Sequence, residues 1–306
     1  MKYVVSGYIG FDNFGDEAIQ YVLTKKLKSE GAEKITLISS NPEKTSNLYG
    51  VDSCGMFNFL PSLLDADILI SGGGSLLQDV TSLKSLIYYL GVIYSALILG
   101  KKVQIFAQGI GPINSKIGQF LTKFALKRAE KITVRDSKSK ELLNSWGIES
   151  ELVKDPVLEL ELPNKQLKGT VGVQLRSFEG VNDDFLEELS KEISKRFYDK
   201  KIEILSLQDS IDLDVCNHFA EILKTKGIQK VTVLDKLSIN DVLEKISDLE
   251  YLIAMRFHAN VVGIKSGVKT LAINYDPKVK KLADEYHLPM INLNDNDFSE
   301  QFSKLL

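Results

Sequence analysis

The sequence predicts an α/β protein with two parallel-sheet domains that face each other across a central cleft. Three observations carry this expectation. Short β-branched runs alternate with helix-period segments along the whole chain, the pattern of parallel strands joined by crossover helices. The alternation lapses once, near the middle, and then restarts with a fresh strand. Glycine, arginine and histidine gather where strands end, which is where open α/β sheets place their ligand groups.

In order along the first half, strands are expected over 3–6, 34–39, 67–71, 103–107 and 131–135, with helices near 16–29, 82–99, 115–129 and 137–146. The second half reads as strands over 170–175, 201–207, 230–234, 251–254 and 270–274, with helices near 183–199, 212–226, 238–247, 258–266 and 278–287. Residues 161–167, polar and carrying Pro163, match neither period and read as a linker. The expected domains are therefore 1–160 and 168–306, each Rossmann-like.

Composition narrows the function class. Of 306 residues, 44% are apolar and 26% charged, the balance of a soluble globular protein. A net charge of −3 with no local basic stripe argues against nucleic acid as a partner. Cys54 and Cys216 are far apart and lack metal-ligand spacing, and the chain opens directly into a strand without a secretory signal; the expected location is the cytoplasm. The longest apolar stretch, 86–99, is broken by Gly91 and Ser95 and falls short of the roughly 20 residues that span a bilayer. It reads as a core helix, or as a helix that also touches a membrane face.

Arginine usage is informative. Against 33 lysines stand only five arginines, Arg128, Arg135, Arg176, Arg196 and Arg256. Arg128 and Arg196 fall in amphipathic helical patterns. The other three end strands, where a flat guanidinium fork suits phosphate or carboxylate. For Arg135 a structural ion pair with Asp136 is the competing role.

Four segments carry chemistry. In Ser6-Gly7-Tyr8-Ile9-Gly10-Phe11-Asp12-Asn13-Phe14-Gly15-Asp16, a strand ends and a helix opens; Tyr8 and Asn13 are candidate sugar contacts, and Asp16 is a candidate helix N-cap that can also touch a sugar. The glycine spacing is not that of a dinucleotide fingerprint. Gly72-Gly73-Gly74-Ser75 follows a strand, and its backbone N–H groups can face an anion or a hydroxyl, or simply make a tight turn. No Gly-Lys-Ser/Thr follows, so it is not a P-loop. Gln108-Gly109-Ile110-Gly111-Pro112 ends the next strand and is expected to line the same cleft. In Met255-Arg256-Phe257-His258-Ala259-Asn260 a strand gives way to a helix, and Arg256 and His258, two apart, are expected to enter the cleft together as an anion fork and a proton donor. His218 and His287 read as structural.

Together these segments resemble the polysaccharide pyruvyl transferase family, especially its bacterial cell-wall members. The matching motifs are Gly7-Tyr8-x-Gly10-x-x-Asn13-x-Gly15-Asp16-Glu17-Ala18, Gly72-Gly73-Gly74-Ser75-Leu76-Leu77-Gln78-Asp79 and Gln108-Gly109-Ile110-Gly111-Pro112. Arg135-Asp136, Gln174-Leu175-Arg176, Arg256-x-His258-Ala259 and Tyr275-Asp276-Pro277-Lys278-Val279 follow in order. Phe257 stands where related sequences commonly carry Leu. The resemblance implies a GT-B-like fold and transfer of pyruvate from phosphoenolpyruvate to a sugar, with phosphoenolpyruvate as co-substrate and neither cofactor nor metal. Arg176, Arg256, Arg135, Gly73, Gly74 and Ser75 are then the expected donor side. Tyr8, Asn13, Asp16, Gln108 and Lys278 are the expected acceptor side, and His258 with Arg256 the catalytic pair. An acceptor on a lipid-linked N-acetylmannosamine-containing glycan is implied; peripheral contact with the inner membrane face is the expectation attached to the membrane-touching reading of helix 82–99. A glycosyltransferase using a nucleotide sugar is the rival within the same architecture.

Overall fold

The computed structural model describes every residue except 81, 165, 167, 168, 296 and 297. Two of these, 165 and 167, belong to the expected linker, which therefore lies partly outside the described residues. The chain forms two compact units, Met1–Leu160 and Glu161–Leu306.

The first unit runs β1 (Lys2–Ser6), α1 (Phe14–Ser29), β2 (Lys34–Ser39), α2 (Pro42–Tyr49), β3 (Asp52–Gly55), α3 (Leu60–Asp65), β4 (Ile68–Gly72), α4 (Leu83–Ile98), β5 (Lys102–Gln108), α5 (Lys116–Leu126), β6 (Lys131–Val134), α6 (Ser137–Ser145) and β7 (Glu151–Leu152), closing with a 3-10 turn, Pro156–Glu159. Its sheet has the order β3-β2-β1-β4-β5-β6-β7, and every pairing is parallel. Strands such as β4, buried along its whole length, are sandwiched between helices, so they read as unbroken apolar runs. On one face Leu69, Val103 and Ile105 pack with Leu86 and Ile93 of α4; on the other Val5, Leu37 and Ile70 pack with Leu23 and Leu27 of α1.

The second unit runs β8 (Thr170–Gln174), α7 (Asp183–Phe197), β9 (Lys201–Leu205), α8 (Asp209–Thr225), β10 (Val231–Leu234), α9 (Ile239–Ser247), β11 (Leu249–Ala254), α10 (Phe257–Lys265), β12 (Lys269–Asn274), α11 (Pro277–Glu285), β13 (Met290–Asn292) and α12 (Ser299–Leu305). Its six parallel strands lie in the order β10-β9-β8-β11-β12-β13. Both sheets thus reverse winding direction once, between β1 and β4 and between β8 and β11. Crevices at the carboxyl ends of such strand pairs are the usual ligand sites of open α/β sheets.

Several elements escaped the sequence pattern. The strands β3, β7 and β13 are short and lie at or beside sheet edges, and β3 is Asp-Ser-Cys-Gly, with no apolar run to betray it. The short helices α2, α3 and α12 were likewise unforeseen. The cap of α1 also differs: Asn13, not Asp16, accepts the Gly15 N–H (3.1 Å), and Asp16 lies inside the first turn.

Glu17, beside it, is buried, accepting the Gly10 N–H (2.7 Å) and the Tyr49 hydroxyl. Burial pushes its carboxyl pKa above the ordinary value despite these bonds. The folded state therefore holds this proton more tightly than the unfolded chain. The resulting stability is greatest at low pH and is lost as pH rises through the raised value. Glu17→Gln keeps an acceptor for Gly10 and removes the buried charge. Its Tm is expected to exceed that of the native chain at neutral pH, and the gap to close below about pH 4, in a calorimetric pH series.

Candidate functional site

At the β1/β4 switch point, the glycine loop is built by close approach of α1. Gly73 and Gly74 take left-handed φ values of 65° and 70°. A Cβ on Gly73 would stand 2.2 Å from Ile19 Cγ2, and one on Gly74 would stand 2.6 Å from Asp16 Oδ1. Glycine here answers to both backbone and neighbour. The loop is stitched to its surroundings, since Gly73 N–H donates to the Phe106 carbonyl (2.8 Å) and Gly109 N–H donates to that of Gly74 (2.9 Å). The Gly73 N–H expected to face an anion is therefore occupied. The Asp16 carboxylate stands against Gly74, while the Arg135 guanidinium reaches Ser75 in the same loop.

Arg135 lies just past the end of β6, almost wholly buried, with Nη1 2.8 Å from Asp155 Oδ2 and Nη2 3.3 Å from Ser75 Oγ. The structural ion pair considered for Arg135 exists, but with a different acid. Asp136 instead caps α6 through the Ser139 N–H (2.8 Å), and Asp155 precedes the 3-10 turn that packs on α1. Gln108 is also displaced from its expected place. Strand β5 breaks register between Ile105 and Gln108, Ala107 has φ 45°, and the Gln108 side chain is fully buried, donating to Ser71 Oγ (2.8 Å). Tyr8 stacks on Phe11 at 4.1 Å, half-buried beside the loop.

At the β8/β11 switch point a buried polar hub organises the turns. Asp212, with no exposed surface, accepts Arg256 Nε (2.7 Å) and Nη2 (2.6 Å), the backbone N–H of Leu207 and Gln208 (3.1 Å each) and Gln174 Nε2 (3.3 Å). Gln174 Oε1 accepts the Arg256 N–H (2.7 Å), and Gln208 Oε1 takes a further bond from Nη2 (3.1 Å). Arg256 was expected to present its fork to a ligand. Instead it turns inward, because the helix starts at Phe257 and the two-residue alternation of a strand no longer relates it to His258. Asp212 and Gln208 were missed, as Asp212 reads only as one more polar position of a helix.

His258 is half-buried on the first turn of α10, its ring 5.1 Å from that of Phe257 and edge-on to it. Among the described residues no side chain caps α10 at Arg256. Lys278 is exposed near the amino end of α11, its Nζ 3.7 Å from Asp276 Oδ2. Arg176, two residues past the end of β8, lies over the Tyr275 ring (5.3 Å), which Phe178 meets edge-on. Its Nε is buried and has no acceptor among the described residues. The other four arginines are served: Arg135 by Asp155, Arg196 by Glu192, Arg256 by Asp212, and Arg128 by the Phe124 carbonyl. Among the described residues no group of three or more His, Cys, Asp and Glu is placed to hold a metal ion.

Removing Asp212 would leave a buried guanidinium without a counter-charge. Asp212→Ala is expected to cost about 3–5 kcal/mol, read as a drop in the urea midpoint with little change in slope.

Comparison with known proteins agrees with this layout. The chain's fold is similar to the UDP-GlcNAc 2-epimerase of Methanocaldococcus jannaschii, at 11% identity over 100% of this chain and 91% of that one, TM-score 0.65. It is also similar to an Anabaena protein crystallised with UDP and glucose (9%, 100% and 89%, 0.65) and to a glycosyltransferase from Rickettsia africae (12%, 99% and 86%, 0.63). At such identities the likeness establishes the fold alone, an α/β protein with two parallel-sheet domains of GT-B-like kind. No curated protein matches the chain in sequence. The family profile described as polysaccharide pyruvyl transferase matches residues 13–277, which include the glycine loop, Arg176, Asp212 and His258. The chain belongs to the polysaccharide pyruvyl transferase family, and is thereby a transferase that places pyruvate on polysaccharide.

Proposed function

We propose that the chain transfers pyruvate from phosphoenolpyruvate to two hydroxyls of one sugar, forming a pyruvate ketal and releasing phosphate. The acceptor in this reading is a lipid-linked, N-acetylmannosamine-containing cell-wall glycan precursor of the S-layer-anchoring type. The observation that carries the donor assignment is Arg176, the one arginine with no carboxylate or carbonyl acceptor among the described residues, poised beside the β8/β11 switch point. A guanidinium without an anionic partner in a ligand crevice suits the carboxylate or phosphate of phosphoenolpyruvate. The amino end of α10, where the helix dipole is positive, adds a favourable field for the same anion.

His258, as imidazolium, gives its proton to the methylene carbon of phosphoenolpyruvate, and C2 becomes electron-deficient. One sugar hydroxyl oxygen bonds to C2, and its proton returns to the imidazole. The C2–O bond to phosphate then breaks, and the second hydroxyl closes the ketal while its proton leaves with phosphate. Atoms and charge balance without any further reactant. Arg256 becomes a positioning residue, holding the β11–α10 turn on which His258 sits. Gly74 and Ser75, grouped with the donor from sequence, are reassigned to an acceptor hydroxyl, with Asp16 beside them as the candidate to orient it.

The test is phosphate release from phosphoenolpyruvate with a panel of sugar acceptors, with the product weighed by mass spectrometry. Acceptor-dependent release and a product heavier by one pyruvate ketal are expected. No release, together with thermal stabilisation by UDP, would favour the nucleotide-sugar rival. His258→Ala should lower turnover about 10²–10⁴-fold with an unchanged Tm. Arg176→Lys should raise the donor KM, since a point charge replaces a fork. Wild-type turnover in the first or an unchanged KM in the second would overturn the corresponding role.

A further inference from the structure

Among the described residues no helix is long and apolar enough to cross a membrane, yet α4 and α5 leave an apolar face uncovered. Their outer sides expose Leu83, Ile87, Ile98, Ile117, Phe120 and Phe124, with Ile117 at 73% and Phe120 at 67%. The two helices make one surface. A Cβ on Gly118 would stand 3.0 Å from Leu86, Tyr94 donates to the Leu121 carbonyl (2.8 Å), and the Phe124 ring lies 6.2 Å from Tyr94 and 6.4 Å from Phe120. Soluble domains rarely expose so much contiguous apolar side chain without a partner for it.

Charge says which partner. Acids outnumber bases 41 to 38 in the whole chain, yet from Val80 to Ala129 there is not one Asp or Glu, while Lys84, Lys101, Lys102, Lys116, Lys123, Lys127 and Arg128 fall in that span. Lys101 is tied to the Leu64 and Ala66 carbonyls and Lys102 to Glu130. Lys84, Lys116, Lys123 and Lys127 form no ion pair among the described residues, and Arg128 lies over the Phe124 ring. The sequence reading found no basic stripe because these cations come from two helices and become neighbours of one apolar patch only when α4 and α5 pack.

We infer that the α4–α5 face of the first unit is a docking surface for an anionic lipid bilayer. Apolar side chains enter the acyl boundary while flanking lysines keep their ammonium groups at the headgroups. Each cation near an anionic surface adds to the attraction; neither helix carries an acid, and Asp79, against the start of α5, is taken up by the Asn114 and Ser115 N–H groups. A second copy is a poorer occupant, since it would bring the same unneutralised cations face to face. This inference rests on surface chemistry alone and does not depend on the reaction proposed above.

The test is co-sedimentation of the full chain with phosphatidylcholine vesicles, with and without phosphatidylglycerol. Binding is expected only with the anionic lipid, and to weaken as salt rises, because screening shortens the reach of each charge. Lys123→Glu/Lys127→Glu is expected to lower the partition coefficient at least about tenfold. Ile117→Ser/Phe120→Ser should lower it by a similar factor, and Lys195→Glu/Lys230→Glu, exposed in the second unit, should not. These positions are at the surface, and an unchanged Tm for each variant confirms that folding is intact. No binding to anionic vesicles, equal binding to neutral ones, or a concentration-dependent dimer abolished by Phe120→Ser would overturn the inference.

Discussion

The second unit depends on one buried ion pair. Asp212 has no exposed surface, and five donors from three turns converge on it, so its position is determined from every side. Arg256 is held by two of those bonds and by Gln208, while Gln174 accepts its backbone N–H. The carboxyl end of β8, the β9–α8 turn and the β11–α10 turn are thereby locked to one another. A pair of this kind repays its desolvation only when nearly every donor and acceptor is matched, and here the matching is close. What it provides is precision at the start of α10, where His258 sits.

The first unit solves a related problem with glycine. Its loop after β4 must accept α1 at a distance that leaves no room for a side chain at Gly73 or Gly74. The consequence is chemical as well as steric, because the approach carries Asp16 onto the loop. One switch point therefore presents a carboxylate, small polar groups and the Asp155-paired Arg135, the other a guanidinium that meets no acid among the described residues. Both sites are framed by strands whose neighbours are fixed by winding order, so substitutions in surface helices leave the frame alone.

Much of this was legible without coordinates. Alternating short β-branched runs and amphipathic segments are a local signal, so among the described residues all strands but β3, β7 and β13 and all helices but α2, α3 and α12 stand close to where periodicity places them. What failed was also local in cause: β3 carries no apolar residue other than Cys54, and β7 spans only two residues. Arg135 could be suspected of an ion pair, but its acid, 20 residues further on, could not be chosen from Asp136 and Asp155 by spacing. The Arg256–His258 spacing was read as strand-like when one helical residue already separates them.

The sequence by itself determined the fold class, the division into two α/β halves, the strand-end location of the polar candidates and the family, because period and motif order are properties of the chain alone. The tertiary structure decided which of those candidates are paired with an acid. Arg256 and Arg135 carry the same charge as Arg176 and lie at equivalent strand ends, yet two are neutralised by acids distant in sequence and Arg176 meets none among the described residues. The same holds for the α4–α5 face, whose cations and apolar side chains become one surface only by packing. Whether a charge acts on a ligand depends on what else is within a few ångströms, and only the folded chain brings those neighbours together.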